Sequence, residues 1–279
     1  MTYSSLMVHL DLGVSNETLL QLTADMAERF GAGVIGVAAC QPMQVQTMYG
    51  NGYTSSDLIE QDRAVIESQA AEAEDRFRAV MRNRAPRLQW RASISYMQLA
   101  NWVADQTRGA DLLLMASRPD ESRFESMRRP DIGDLVMRIG RPLVVVPPSI
   151  EALDLQHVVI GWKDTRETRR AVLDALPLLR SAGQVTVMEI VEDAEEMAST
   201  RLHLAEVVAW LEGHGVAAEA VTEPLSGSAA AQLEAAAAAK DAGLLVIGAY
   251  GHNRLREWVL GGITRDALRH SARCSFMSH

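Results

Sequence analysis

The stretch that decides the fold is residues 5–39, "SLMVHLDLGVSNETLLQLTADMAERFGAGVIGVAA", because the chain repeats its pattern. Residues 157–191, "HVVIGWKDTRETRRAVLDALPLLRSAGQVTVMEIV", form the second copy. Each copy contains an apolar strand, a polar turn, an amphipathic helix, a glycine and another strand. The offset that places Gly31 on Gly183 also places Asp11 on Lys163. A repeat of this length indicates two related units.

The two copies continue in the same way to their ends. "ADLLLMASRP" matches "AGLLVIGAYG", with Ala116 on Gly248. Strands that alternate with helices predict parallel pairing in an α/β fold. We therefore expect two tandem, doubly wound domains, each with a five-stranded parallel sheet. They are placed at residues 1–148 and 154–279, and the surplus length of the first lies in residues 41–57.

The composition excludes several classes of protein. The 279 residues are 48% hydrophobic and carry a formal net charge of -9, which disfavours binding to nucleic acid. Two cysteines make no disulfide framework and fit a reducing compartment. The N-terminus lacks the basic region of a signal peptide, and charges interrupt the apolar runs. We expect a cytoplasmic protein with no membrane contact.

One glycine pattern matches the dinucleotide fingerprint, but the elements on either side of it are the wrong ones for such a site. "GAGVIG", residues 31–36, fits G-x-G-x-x-G. That fingerprint needs a strand before it and a helix after it, so that pyrophosphate meets the helix N-terminus. Here a helix precedes the pattern and a strand follows. Gly31 is therefore predicted to end a helix, and Gly36 to lie within a strand.

A second glycine pattern lies in the right context. "GAYGHNRLREWVLGGIT", residues 248–264, follows the buried strand "LLVI" and precedes the predicted helix "TRDALRHS". In open parallel sheets, ligands sit at the carboxyl ends of the strands. Glycines allow backbone N–H groups to approach an anion, and a helix N-terminus favours negative charge. His252, Arg254 and Arg256 add positive charge. The alternative is a solvated loop with capping glycines.

This loop resembles the G-x2-G-x9-G-(S/T) nucleotide motif of the universal stress protein (UspA) family. The glycines at the family spacing are Gly248, Gly251 and Gly261. Both copies also look like the Usp domain, an adenine nucleotide α-hydrolase-like fold, so the chain is most similar to tandem, two-domain members. The resemblance implies a site for ATP or a related adenine nucleotide, with or without Mg²⁺. The implied contacts of the phosphates and ribose are Gly248, Gly251, Gly261, Gly262, Ile263 and Thr264.

The second copy departs from the family at two positions. Gly262 stands where the family has Ser or Thr, although Thr264 keeps a hydroxyl. Lys163 replaces the aspartate that faces the nucleoside, and a lysine cannot accept a hydrogen bond from ribose or adenine. Lys163 is therefore expected to contact phosphate. Ile190, at the end of the second strand, is expected to form the apolar wall for a base.

The first copy lacks the glycine loop. Ala116, Pro119 and Arg129 occupy the three glycine positions, and Asp131 would repel phosphate. This copy nevertheless keeps Asp11 after its first strand. We predict no phosphate cradle there. Because this copy manages without the glycines, those of the second copy are interpreted as serving a ligand.

The remaining candidates are weaker. The seven histidines show no ligand spacing, so no metal site is predicted. Cys274 is expected in a core strand. The charged helix from Asp57 to Asn83 is interpreted as a solvated face. Trp162 and Trp258 border the predicted loop and are as consistent with packing as with a ligand.

Three functions remain open at this point. The first is a stress-response regulatory protein that binds nucleotide in its C-terminal domain and is not an enzyme. The second is a slow ATPase or phosphotransferase, for which the loop offers Glu257 and Asp266. The third is an interaction module without a nucleotide. The last strands, "PLVVVP" and "CSFM", are candidate sheet edges. In the family that the chain resembles such strands pair across a dimer, so the resemblance implies that here they pair the two domains within one chain. A homodimer through other surfaces and an unidentified protein partner are alternatives.

Overall fold

The computed structural model describes residues 2–42, 55–117, 128–249 and 273–279. Within these ranges the chain forms a ten-stranded sheet in the order β3-β2-β1-β4-β5-β10-β9-β6-β7-β8. The strands are β1 Ser5–His9, β2 Gly33–Cys40, β3 Leu88–Ile94, β4 Leu112–Ala116, β5 Leu143–Val146, β6 His157–Gly161, β7 Gln184–Val191, β8 Ala218–Pro224, β9 Leu244–Gly248 and β10 Cys274–Ser278.

The helices of the described ranges cover both faces of this sheet. They are α1 Glu17–Phe30, α2 Ser55–Met81, α3 Leu99–Gln106, α4 Ile132–Arg138, α5 Arg166–Leu179, α6 Met197–Gly213 and α7 Ala229–Ala239. Side chains of α1, α2, α5 and α6 belong to one apolar cluster, and those of α3, α4 and α7 to another on the opposite face. Central strands such as "LVVV" are therefore buried on both sides, which explains their continuous apolar sequences.

The two halves have the same strand order, and they meet through their last strands. Strands one to five of each half lie in the order three, two, one, four, five. All pairs are parallel except β5 with β10, which is antiparallel. In that pair Val144 lies opposite Phe276. The predicted doubly wound α/β fold and the predicted pairing of the last strands within the chain are both confirmed.

The glycines of "GAGVIG" have structural roles. Gly31 ends α1 in the left-handed region, with φ 61°. Gly36 lies within β2, where a Cβ atom would come within 2.6 Å of the Trp90 ring. The first glycine thus stops a helix, and the last admits an aromatic ring against the strand. Both expectations for these two glycines are confirmed.

The long charged helix has one buried face. α2 begins and ends two residues before the predicted 57–83 span. Its buried residues recur every three or four positions, and the rest of the helix is largely exposed. The buried residues are Ile66, Ala70, Ala73, Phe77 and Met81. The helix is therefore a solvated face anchored by one apolar stripe.

Candidate functional site

Each half has a crevice where the direction of chain progression along the sheet reverses. In the first half, β1 lies between β2 and β4; in the second, β6 lies between β7 and β9. The connecting helices leave toward opposite faces on the two sides of the central strand. Ligands of open α/β sheets bind outside the carboxyl ends of strands at such a switch point. The ends of β1 and β4, and of β6 and β9, are therefore the two candidate sites.

The second crevice brings together two of the predicted site residues. Lys163 is the second residue after β6 and is exposed, and its carbonyl oxygen accepts a 2.6 Å hydrogen bond from Thr165 N. Gly248 is the last residue of β9, the strand paired with β6. The Thr165 hydroxyl then caps α5 by accepting from Thr168 N at 3.3 Å. Lys163 and Gly248 thus lie at the carboxyl ends of two neighbouring parallel strands, whose register ends with Gly161 opposite Ile247.

Gly248 has a packing reason to be glycine. A Cβ atom at this position would lie 2.7 Å from the carbonyl carbon of Glu167 and 2.7 Å from Thr168 Cα. Those are backbone atoms of the first turn of α5, so they cannot move aside as a flexible side chain would. The comparison of the two loops therefore does not by itself assign Gly248 to a ligand.

Ile190 and Trp162 lie on opposite faces of the sheet. Ile190, in β7, packs against the cluster that contains α7. Trp162 is buried in the cluster that contains α5 and α6. Ile190 therefore lies on the α7 side of the sheet. Trp162 lies on the other side, as a packed core residue.

The remaining predicted contacts fall outside the described residues. These are Gly251, His252, Arg254, Gly261, Gly262, Ile263 and Thr264, together with Trp258, Glu257 and Asp266. They stay predictions from the sequence.

A buried carboxylate near Lys163 was missed by the sequence analysis. Glu189 interrupts the apolar strand β7 and is only 8% exposed. Burial raises the pKa of its carboxyl group, and the positive charge of Lys163 opposes that rise. A glutamate inside "VTVMEIV" was the available signal. Lys163 therefore has an acidic neighbour within the fold.

The first crevice contains an ion pair. Arg129, at the third glycine position, approaches Asp11 with 3.5 Å between Nη1 and Oδ2. Both side chains are largely buried. The carboxylate that the family would direct at a nucleoside thus has an arginine beside it. That this half has no phosphate cradle stays a prediction.

Two buried polar side chains accompany this pair. His9 Nδ1 lies 3.5 Å from Asp11 Oδ1, yet among the described residues neither ring nitrogen has a hydrogen-bond partner. Burial lowers the pKa of the imidazole, the charge of Asp11 opposes that shift, and Arg129 adds to it. The Ser117 hydroxyl, after β4, likewise has no partner within the described ranges. His9 is therefore neutral near pH 7.

Cys274 is a core residue without the features of a reactive cysteine. Cys274 is fully buried in β10, as predicted, and burial raises the pKa of its thiol to about 12. A thiol in that state is a poor nucleophile.

Among the described residues no group of three or more His, Cys, Asp or Glu could hold a metal ion. Within the same ranges no helix is long and apolar enough to span a membrane.

Solved structures with this fold cover nearly the whole chain. A universal stress protein from Archaeoglobus fulgidus DSM 4304 aligns over 98% of this chain and 95% of its own, with TM-score 0.68 and 14% identity. A provisionally named universal stress protein from Pseudomonas aeruginosa UCBPP-PA14 aligns over 99% and 93%, with TM-score 0.66 and 12% identity. A functionally unknown protein from Pseudomonas aeruginosa PAO1 aligns over 99% and 92%, with TM-score 0.61 and 12% identity.

Sequence comparisons add no closer relative. No protein-family model matches the chain, and no curated protein matches it. The structural likeness is therefore a likeness of fold. The chain has the tandem fold of universal stress proteins, and the family resemblance stated from the sequence is confirmed at the level of the fold.

Proposed function

We propose that this chain is a tandem universal stress protein that binds ATP or a related adenine nucleotide in its C-terminal half. Its role would be regulatory, in a stress response, and it would act by changing partners with occupancy rather than by catalysis. The observation that carries the proposal is the switch point between β6 and β9. The carboxyl ends of these two paired strands lie there, with Lys163 two residues beyond β6 and Gly248 at the end of β9.

The chemistry of this edge suits phosphate better than a nucleoside. The exposed ammonium of Lys163 can pair with phosphate oxygens. Downstream in the sequence, Gly261 to Thr264 would supply backbone N–H groups and one hydroxyl. No carboxylate follows β6 at the family position, since Lys163 stands there. We therefore expect weaker selection for adenine than in a protein that keeps the aspartate.

Equilibrium dialysis with labelled ATP tests the proposal. The expected result is about one nucleotide per chain, since one of the two loops is glycine-rich. Gly261→Asp combined with Gly262→Asp places two negative charges in the cradle and should abolish binding. Arg129→Ala combined with Pro130→Ala changes the matching positions of the first half and should leave binding unchanged. No binding by the wild-type chain, or equal binding by the aspartate variant, would overturn the proposal.

A protein-interaction module without nucleotide is the second candidate. Lys163 at the nucleoside position and Arg129 against Asp11 favour it. Failed dialysis together with capture of a partner by the full chain would support this candidate. Light scattering would establish whether the chain also forms a homodimer. We expect cytoplasmic localisation, and fractionation of the host cells would test it.

We expect that this chain does not hydrolyse ATP. Hydrolysis would require a base or a metal carboxylate near the γ-phosphate. Release of phosphate from ATP no faster than in the buffer control, with and without Mg²⁺, is the expected result. A rate above that control which falls in the Glu257→Gln or Asp266→Asn variant would show catalysis instead.

A further inference from the structure

A cavity lies between α5 and α6 in the second half of the chain. Its volume is about 500 Å³, within the range of small-molecule sites. Apolar side chains provide most of the lining. They are Trp162, Val172, Leu173, Val207 and Trp210. The cavity lies on the α5 and α6 face of the sheet, opposite Ile190. It is therefore separate from the expected wall for a nucleotide base.

Trp162 supplies the polar feature of this cavity. Its side chain is almost fully buried, at 8% exposure, and it belongs to the core cluster beneath the two helices. The indole nitrogen Nε1 has no hydrogen-bond partner among the described residues. A buried donor without a partner costs free energy, and an indole N–H can only donate. This position therefore favours a ligand that carries an acceptor.

The first half provides an internal comparison. A cavity of about 450 Å³ lies at the matching place, beside the turn after β1. Leu10 lines it at the position of Trp162, and a leucine side chain has no polar atom. Gln69, Glu72 and Arg76 give this first cavity a polar wall. Of these two cavities, the second has a tryptophan with an unpaired indole N–H where the first, as described, has a leucine.

The mouth of the second cavity is apolar and carries charges of both signs. Trp210 is 39% exposed and Leu173 is 38% exposed. Asp164 lines the mouth and is already paired with Arg169 at 2.6 Å. Glu206 adds a further carboxylate. A flat apolar molecule could cover the exposed tryptophan and leucine without needing a net charge of its own.

We propose that this cavity binds a planar, largely apolar ring compound with one hydrogen-bond acceptor, which pairs with Trp162 Nε1. The ring packs between Leu173 and Trp210. Nε1 itself is buried, so binding requires a shift of the indole that exposes this atom to the cavity. The proposal does not rest on nucleotide binding, and its test uses the full chain without nucleotide.

Two probes of the same shape separate the acceptor from the apolar surface. Quinoline has a ring nitrogen that accepts a hydrogen bond, and naphthalene has none. Titrations followed by ¹H–¹⁵N spectra report each indole N–H separately, and the Trp162→Phe variant identifies the Trp162 resonance. Quinoline should bind the wild-type chain about tenfold more tightly than naphthalene and should shift that resonance downfield.

Two variants decide the outcome. Trp162→Phe keeps an aromatic floor and removes the donor, so both probes should bind it equally. Trp210→Ala should weaken both probes and keep the preference for quinoline. Equal affinities in the wild type, a preference that survives in Trp162→Phe, or no binding of either probe would overturn the proposal. If Trp162→Phe does not fold, the downfield shift among the five wild-type indole resonances decides instead.

Discussion

Gly248 packs directly on the backbone of Thr168, so that a Cβ atom at Gly248 would lie 2.7 Å from Thr168 Cα. This contact joins the end of β9 to the first turn of α5. The same glycine begins the loop that resembles a nucleotide motif. One residue thus serves the packing of the crevice whether or not a ligand binds there.

Gly248→Ala should therefore destabilise the fold. Forcing a methyl group against backbone atoms costs about 1–3 kcal/mol. Chemical denaturation would measure the loss. Gly213→Ala is the matched control, because among the described residues no other heavy atom lies within 4 Å of a Cβ there. The control should change stability by less than about 1 kcal/mol. Equal effects of the two substitutions would contradict the packing role.

Phe276→Ala tests the strand pair that joins the halves. Phe276 is fully buried and lies opposite Val144 in the antiparallel pair. Removing a buried phenyl ring should cost about 3–5 kcal/mol of unfolding free energy. Guanidinium denaturation would detect this as a lower midpoint. Met97→Ala, at a position 67% exposed, should stay within about 0.5 kcal/mol of the wild type. A small loss for Phe276→Ala would argue against this strand pairing.

His9 should make stability depend on pH. Burial lowers the pKa of His9 in the folded chain, so below the ordinary pKa of about 6.5 the unfolded chain binds more protons. Stability therefore falls as the pH drops from 6.5 toward the folded pKa, by at most about 1.4 kcal/mol per pH unit from this group. Denaturation curves between pH 7.5 and pH 5.5, a range of about two units around that pKa, would measure the slope.

His9→Leu should reduce that slope. The substitution removes two buried nitrogens without partners among the described residues and keeps an apolar contact surface. Stability at pH 7.5 should be unchanged or higher, since an apolar replacement of an unpaired group is close to neutral. His203→Gln, at an exposed site, is the control and should keep the slope. An unchanged slope in His9→Leu would assign the acid sensitivity to other groups.

Lys163 should hold down the pKa of Glu189. Burial raises that pKa, and the ammonium group opposes the rise, so Lys163→Met should raise it further. Carbon-13 titration of the Glu189 carboxyl group in both chains would measure the difference. Lys240→Met is a control for lost positive charge, because Lys240 pairs with Glu219 instead. A pKa of Glu189 that does not respond to Lys163→Met would remove the link between the two residues.

Most of the fold could be predicted from the repeat. The continuous apolar runs marked the central strands, and Gly31 marked the end of α1. The pairing of β5 with β10 was expected from the family resemblance, and each unit leaves its last strand at an edge of its own five strands. The boundaries of α2 were two residues off, since fraying ends carry no periodic signal.

Much less of the site could be predicted, because side-chain partners depend on distant segments. The residues around Gly248 in the sequence do not indicate that Gly248 packs against Thr168, because the fold of α5 makes that contact. The sequence shows Glu189 only as a charged residue within a strand. It does not show that Lys163 is close enough to act on the pKa of Glu189. Arg129 and Asp11 are far apart in sequence, and the fold alone sets their 3.5 Å contact.

A crystal structure of the full chain grown with ATP would test the proposed nucleotide site most directly. We expect nucleotide density outside the carboxyl ends of β6 and β9, with phosphates beside Lys163, and none between β1 and β4. Nucleotide bound beside Asp11 in the first half, or a chain without nucleotide at millimolar ATP, would contradict it.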